Sequence, residues 1–407
     1  MPGSAPHCAI IGAGPVGTSL ALALLREGFA VTLLERESEL PADPRAGTIQ
    51  PPTLEMLDQL GAGPQVLAMG LKAPLIQFRD RDSAAIVAEF DYSRLEAETS
   101  HPYALMCEQY KVANANLTLI NELSPTTLRL GTEMTDFSQD DAGVELQIRH
   151  GADEERLHAD FLIGCDGGRS VTRARLDIAF EGFTYEERFL VLTTPADFTA
   201  KGYRLRNYVL DPVHWSAIFK APGAGPPGHW RVVLPDDART VAGLDDHYLA
   251  ELFDGLGLTL RLRDLEHHRV YTVNQRVAVR FHEGRVFLAG DAAHVNNPLG
   301  GLGMNSGIHD AMNLAAKLTA ARNSPDQAEQ LFAAYDRERR QIATHYVQAQ
   351  TIRNLKRLAA KTPAQREAAM AELAAISADP IRHKAWIMTA SLIESLRGVH
   401  ALAQSSN

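Results

Sequence analysis

Apolar and polar positions alternate along the chain in three distinct rhythms. Residues 8–11 (Cys-Ala-Ile-Ile) form a short run with no polar side chain, as a strand buried on both faces requires. Residues 18–27 repeat apolar side chains at helical spacing (Leu20, Ala23, Leu24), and Gly28 supplies a stop. A second apolar strand, residues 30–34, ends at Glu35. Two further apolar strands follow the same plan, one at 161–164 running into Asp166-Gly167-Gly168, the other at 284–289 running into Gly290-Asp291. From about 179 to 274 the rhythm shortens to period two ("FLVLTT", "YRLRNYVLD", "WSAIFKAP", "HWRVVLP"), broken by Pro/Gly turns, which predicts an antiparallel sheet. The stretch 75–100 is expected to add strands to it. After Pro325 a long amphipathic pattern predicts one extended helix, and the tail predicts two or three more, placed to cover a pocket or to supply a dimer surface.

The implied organisation is discontinuous. Residues 1–75, 100–178 and 275–325 form one α/β domain, 76–99 and 179–274 form an inserted sheet domain, and 326–407 form a helical region. With 407 residues the chain can bury more than one core, and its net charge of −10 argues against a nucleic-acid partner. The densest basic run, Arg337-Glu338-Arg339-Arg340, reads as a solvated helix face. Cys8, Cys107 and Cys165 have no CxxC spacing, so neither a disulfide framework nor a zinc site is expected, and a reducing cytoplasm is the expected location. Residues 2–25 lack charge, but Gly-Ala-Gly-Pro interrupts the apolar run and no basic segment leads it, so a buried strand–turn–helix is expected there instead of a leader. No stretch has the ~20 apolar residues of a membrane span.

Gly12-Ala13-Gly14-Pro15-Val16-Gly17 fits G-x-G-x-x-G between a strand and a helix. Gly12 permits the tight turn, Gly14 lets a diphosphate approach the backbone, and Gly17 lets helix and strand pack closely. The diphosphate then faces free amides at the positive end of a helix. Glu35, at the second strand's end, suits a ribose hydroxyl and would repel a 2′-phosphate, although Arg36 softens that objection. On this loop alone FAD and NAD fit equally. Gly61-Ala62-Gly63-Pro64 repeats four letters without a preceding strand and reads as a helix end.

Taken together, the three strand-end motifs resemble those of the FAD-dependent aromatic hydroxylases related to para-hydroxybenzoate hydroxylase, over residues 7–60, 103–175 and 271–340. The resemblance implies a Rossmann-like FAD-binding domain with an inserted, mostly antiparallel substrate sheet and a helical C-terminal region. It implies that Arg45 and Gln109 contact the flavin, that Asp166 serves FAD and the nicotinamide nucleotide, and that Gly290-Asp291 holds the ribityl chain. It also implies that Gly301, Leu302, Gly303, Met304 and Asn305 open a second helix whose amides meet the pyrimidine edge of the isoalloxazine, with the Pro298 carbonyl facing the reacting ring. The family's usual Pro-Pro pair is Asn297-Pro298 here, and its usual Gln is Leu302. His294 is expected to shape this loop. His267, His268 and His309 lack a metal-binding partner set.

The implied reaction reduces FAD with NADPH or NADH docking transiently, forms a flavin C4a-hydroperoxide with O2, and hydroxylates a small aromatic, phenolic substrate. A non-oxygenating FAD-dependent reductase or a cyclase on the same scaffold is the alternative. The tryptophans lack the halogenase signature. Tyr203, Arg206, Tyr208 and Ser216 are the candidate substrate contacts, and His214 the candidate activator of the ring hydroxyl. The protein is expected to be a monomer or homodimer.

Overall fold

The computed structural model describes residues 5–40, 42, 47–124, 127–236 and 243–404. Along the chain run strand β1 (His7–Ile11), helix α1 (Pro15–Arg26), β2 (Ala30–Leu34), β3 (Leu75–Asp80), β4 (Ile86–Asp91), α2 (Gln109–Leu123), β5 (Phe161–Gly164), β6 (Phe189–Thr194), β7 (Arg206–Leu210), β8 (Ser216–Ala221), β9 (His229–Pro235), α3 (Asp246–Asp254), β10 (His267–Tyr271), β11 (Val286–Leu288) and α4 (Gly303–Asn323).

β1, β2, β5 and β11 lie side by side and parallel in a six-stranded sheet, with β5 between β1 and β11. Their carboxyl ends therefore sit in one row, where an open α/β sheet binds its ligand. α1 and α4 pack on one face of this sheet around Leu20, Leu24, Leu33, Ile163, Phe287, Leu314 and Tyr335. The apolar runs are buried on both faces because helices cover one side and the sheet of residues 132–159 covers the other.

The inserted sheet has seven strands in the order β10-β6-β9-β8-β7-β3-β4. The stretch near 75–100 does contribute strands to it, β3 and β4, with β3 parallel to β7. Its back face packs on α3 through Leu190, Ile218, Trp230, Val232, Leu249 and Phe253. Its front face carries Phe78, Phe189, Tyr208, Phe219 and Val233.

The helical stretch after Pro325 is one continuous rod with a π-helical segment, Ala343–Gln348, between Ala328–Ile342 and Ala349–Leu358. Periodicity alone does not reveal that segment. It aims Gln348, whose Nε2 donates to the carbonyls of Arg276 and Val295, at the strands beside the second glycine loop; such insertions often mark functional sites. The tail forms three helices, Pro363–Ala378, Pro380–Ala390 and Ile393–Gln404. They close the β3–β4 end of the front face, where Trp386 stacks on Phe90 with ring centroids 3.8 Å apart.

Candidate active site

The first glycine loop is built as its spacing requires. The Gly12 N–H donates to the Leu34 carbonyl at 2.7 Å, which pins the loop to β2. Gly12 has φ +99°, and a Cβ there would lie 2.5 Å from the Cys165 carbonyl oxygen. At Gly17 a Cβ would lie 2.0 Å from the Gly12 carbonyl oxygen, so helix and turn touch backbone to backbone. Gly14 faces open space. No side chain caps α1 and no acid occupies its first turn, so its leading amides await an acceptor. The Glu35 carboxylate hangs beside the loop, accepting from the Ala13 N–H at 2.9 Å and the Glu37 N–H at 3.1 Å. Arg36 pairs with Glu37. Two carboxylates at this end favour a ribose without a 2′-phosphate.

The two Asp motifs converge. Asp166 accepts through one oxygen from the Thr172 N–H (3.0 Å) and hydroxyl (3.1 Å), while its buried Oδ1 has no partner among the described residues. Arg173 ties the motifs together by donating to the carbonyls of Gly168 (2.8 Å) and Ala292 (2.7 Å). Its guanidinium lies 3.8 Å from the Phe180 ring centroid. Asp291 opens onto the same cavity.

Behind them lies a buried charge cluster. Asp310 accepts from the Gly290 N–H at 3.0 Å and bonds His294 Nε2 at 2.8 Å and Arg339 Nε at 2.6 Å. Burial alone would raise the Asp310 pKa, but Arg339 and His294 hold it below the usual carboxylate range. His294 therefore bolts the Gly290 turn to α4, the shaping role expected of it. Arg339, read from the sequence as part of a solvated face, is buried; the period-3.6 pattern cannot distinguish a charged core position from an exposed one when its partner is remote in sequence.

The second glycine loop lines the cavity with Pro298, Gly301, Leu302, Gly303 and Met304. The Pro298 carbonyl accepts from the Gly301 N–H at 3.0 Å. Asn305 does not line the cavity; its fully buried side chain donates to the carbonyls of Thr48 (2.7 Å) and Gly301 (2.6 Å) and accepts from the Gln50 N–H (2.8 Å). It braces the turn that presents the preceding amides. Asn297 exploits its departure from proline: its N–H donates to Gln275 Oε1 at 2.9 Å, a bond proline could not make. Gln109 lines the cavity at the start of α2. Arg45 lies outside the described residues.

Both glycine loops, Glu35, Gln109, Asp166 and Asp291 border one cavity of about 1040 Å³, which runs from Glu35 and Gly14 past Asp166 and Asp291 to Pro298 and on beneath the inserted sheet. Strand pairing sorts the substrate candidates there. Arg206 pairs with Phe219, Phe219 with Arg231, Arg231 with Thr193, and Thr193 with His267, which makes one row on the front face. The next row is Tyr208, Ala217, Val233, Val191 and Arg269. Arg206 and Tyr208 thus lie on the front face, lining a small second cavity that shares Leu302 with the main one.

The other candidates lie elsewhere. Ser216 pairs with Val209 and so points to the back face, where Tyr203 also packs. His214 occupies the turn between β7 and β8, its N–H on Asp211, and does not line either cavity. Period two permits two faces, and a turn residue belongs to neither. Missed by the sequence reading were Val191, Phe219, Arg231, Val233, Arg269 and Tyr271, which line the main cavity. Extending the alternation from Arg206 across "WSAIFKAP" and "HWRVVLP" selects Phe219, Arg231 and Val233 once the pairing register is known.

The FAD binding domain family model matches residues 6–350. The chain belongs to this family. It is 32% identical over 360 residues to para-nitrophenol 4-monooxygenase of Pseudomonas sp. strain WBC-3, covering 88% of each. It is 29% identical over 361 residues to 6-hydroxy-3-succinoylpyridine 3-monooxygenase of Pseudomonas putida, covering 88% of this chain and 90% of that one. The crystal structure of p-nitrophenol 4-monooxygenase from Pseudomonas putida DLL-E4 superposes with a TM-score of 0.87 at 28% identity, over 95% of this chain and 98% of that one. FAD fits the residues present. The buried Asp166 Oδ1 lacks a partner, Gly14 leaves room against the helix start, and the leading amides of α4 open onto the cavity.

Proposed function

We propose that this flavoprotein is a monooxygenase that uses FAD, O2 and NADPH or NADH to hydroxylate a small phenolic ring. The continuous cavity carries the reading: the space along the first glycine loop, Asp166 and Asp291 continues to Val191, Phe219, Arg231 and Val233 beneath the inserted sheet. Bound FAD would accept a hydride from the nicotinamide and activate O2.

The chain's own residues then have definable tasks. Glu35 would hold the ribose, the α1 amides the diphosphate, and Asp291 the ribityl hydroxyls. The amides at 302–304, with the α4 dipole behind them, would stabilise negative charge on the pyrimidine edge. Val191, Phe219, Val233 and Leu302 would exclude water, as electrophilic oxygen transfer requires. Arg231 and Tyr271 line the same space and would orient the ring. Asp166, open to the cavity beside the exposed Gly168 and Arg169, would also meet the transient nicotinamide nucleotide. That the named relatives act on a nitrophenol and a hydroxypyridine supports a hydroxylated aromatic ring as substrate.

The test is a panel of phenols added to FAD-loaded enzyme with NADPH or NADH. Stimulated nicotinamide oxidation with a product one oxygen heavier supports the reading. Unstimulated oxidation with unchanged phenols refutes it.

A further inference from the structure

One backbone position of the inserted sheet is held on both sides by a charged pair at the start of α2. Gly223 opens the hairpin between β8 and β9. Its N–H donates to Glu108 Oε1 at 2.7 Å, and its carbonyl accepts from Lys111 Nζ at 2.6 Å. The same Nζ lies 2.9 Å from Glu108 Oε2. Glu108 is 1% exposed and Lys111 9%, whereas a lysine in a helix's first turn ordinarily stretches its charge into water. Among the described residues no other hydrogen bond joins residues 222–228 to α2 or to the parallel sheet. A buried ion pair adds little stability over apolar residues of the same size, because desolvation cancels most of the attraction. What it supplies is direction: a charged donor and a charged acceptor at fixed spacing accept one placement of one peptide.

The grip joins the two parts of the main cavity. On one side α2 begins at Gln109, which lines the cavity with Tyr110, and packs on α1 through Leu117 and Ile120. On the other side Ala221 pairs with His229 at the root of the hairpin. Two pairs further along, Phe219 stands opposite Arg231, and both line the cavity. Gly223 has φ +62°, and a Cβ there would lie 3.1 Å from His229 Nδ1, so glycine is needed where the two parts meet. The His229 ring sits beside the pair, its Nε2 3.9 Å from Glu108 Oε1. Burial, with Arg231 and Lys220 nearby, lowers its pKa against the pull of Glu266 and Glu108, so near pH 7 Lys111 remains the carboxylate's cation.

We infer that Glu108 and Lys111 are positioning residues: through Gly223 they set the gap between the glycine-loop side of the cavity and the strands above it, and with it the share of turnovers that oxygenate the ring. This rests on the hydroxylase reading above. Neither residue lines the cavity, so both act through the hairpin that carries Phe219 and Arg231. A productive turnover consumes one nicotinamide, one proton and one O2, and leaves one oxygenated ring and one water. With the strands displaced, the same nicotinamide, proton and O2 end as hydrogen peroxide and the ring is unchanged.

The experiment uses the full-length, FAD-loaded enzyme with 4-nitrophenol and NADPH or NADH. Oxygenated product, hydrogen peroxide and nicotinamide consumption are measured together, and hydrogen exchange of residues 216–235 is followed on the same protein. Glu108→Gln combined with Lys111→Met removes both charges at once, so that neither is left buried alone. Product per nicotinamide should fall at least twofold, with hydrogen peroxide making up the difference. The Gly223 amide should exchange at least tenfold faster, and flavin content should equal that of the wild type. Gly223→Ala disturbs the same contact from the sheet's side and should lower the product ratio likewise, whether or not the double variant folds. A wild-type product ratio in either variant, unchanged exchange at Gly223 in the double variant, or a ratio that falls only in proportion to lost flavin would each overturn the inference. Wild type that oxygenates no phenol while its Gly223 amide stays protected would overturn the parent reading, and this inference with it.

Discussion

Asp310→Asn is the most informative single perturbation of the cofactor site. The carboxylate is fully buried and has three donors on it: the Gly290 N–H, His294 and Arg339. Asn preserves shape and removes the charge. The Arg339 guanidinium, 1% exposed, is then left without its counter-charge, which costs about 3–5 kcal/mol. One end of the new amide is also an NH2 turned toward donors, adding about 1 kcal/mol for the lost acceptor. Because Gly290 is the turn that presents Asp291, the lesion should reach the cofactor as well as the core. Urea unfolding of FAD-free and FAD-loaded protein, followed by intrinsic and flavin fluorescence, is the assay. The expected result is a loss of at least 3 kcal/mol in the FAD-free form and flavin release at lower urea. The acid limb should change too. With its pKa held below the usual range, Asp310 contributes stability above about pH 4 that is lost as pH falls further. The variant should lack that contribution. A loss below about 1 kcal/mol with unchanged FAD affinity would refute the clamp.

Other perturbations probe separate parts of the account. Gly17→Ala places a Cβ 2.0 Å from the Gly12 carbonyl oxygen, so purified protein should carry less than a tenth of the wild-type flavin absorbance. His309 is buried against Thr53, and burial, aided by Arg339, pushes its pKa down to about 3. Unfolded chains take up that proton below about pH 6.5, so stability should fall with decreasing pH between those values by at most about 1.4 kcal/mol per unit, and His309→Gln should flatten the slope in urea titrations. Phe219→Ala opens the main cavity beside the ring site and should raise KM for phenols about tenfold with flavin content intact. His214→Ala should leave kcat and KM within twofold of wild type, measured by nicotinamide oxidation, because His214 lines neither cavity.

The glycine-loop end of the candidate site was legible in the sequence because its constraints are local. Gly12 and Gly17 are dictated by contacts within one strand–turn–helix unit, and Asp166 and Asp291 announce themselves at the ends of apolar runs. The part beneath the inserted sheet was not, because its residues are chosen by pairing between strands. Arg206 and Ser216 look equivalent in a period-two pattern, yet register sends one to the front and the other to the back. Phe219 and Arg231 become neighbours only when β8 and β9 pair. The buried role of Arg339 has the same origin, since Asp310 lies 29 positions away. Asn305 shows a further limit: its position in the loop was evident, but whether it lines the cavity or braces the turn depends on Thr48 and Gln50, remote in sequence.

The most direct test is single-turnover oxidation of a phenol by FAD-loaded enzyme under ¹⁸O2, with the product analysed by mass spectrometry. One labelled oxygen per product and one nicotinamide consumed is the expected result. Nicotinamide oxidation that yields only hydrogen peroxide with every phenol bound, or product oxygen drawn from water, would contradict it.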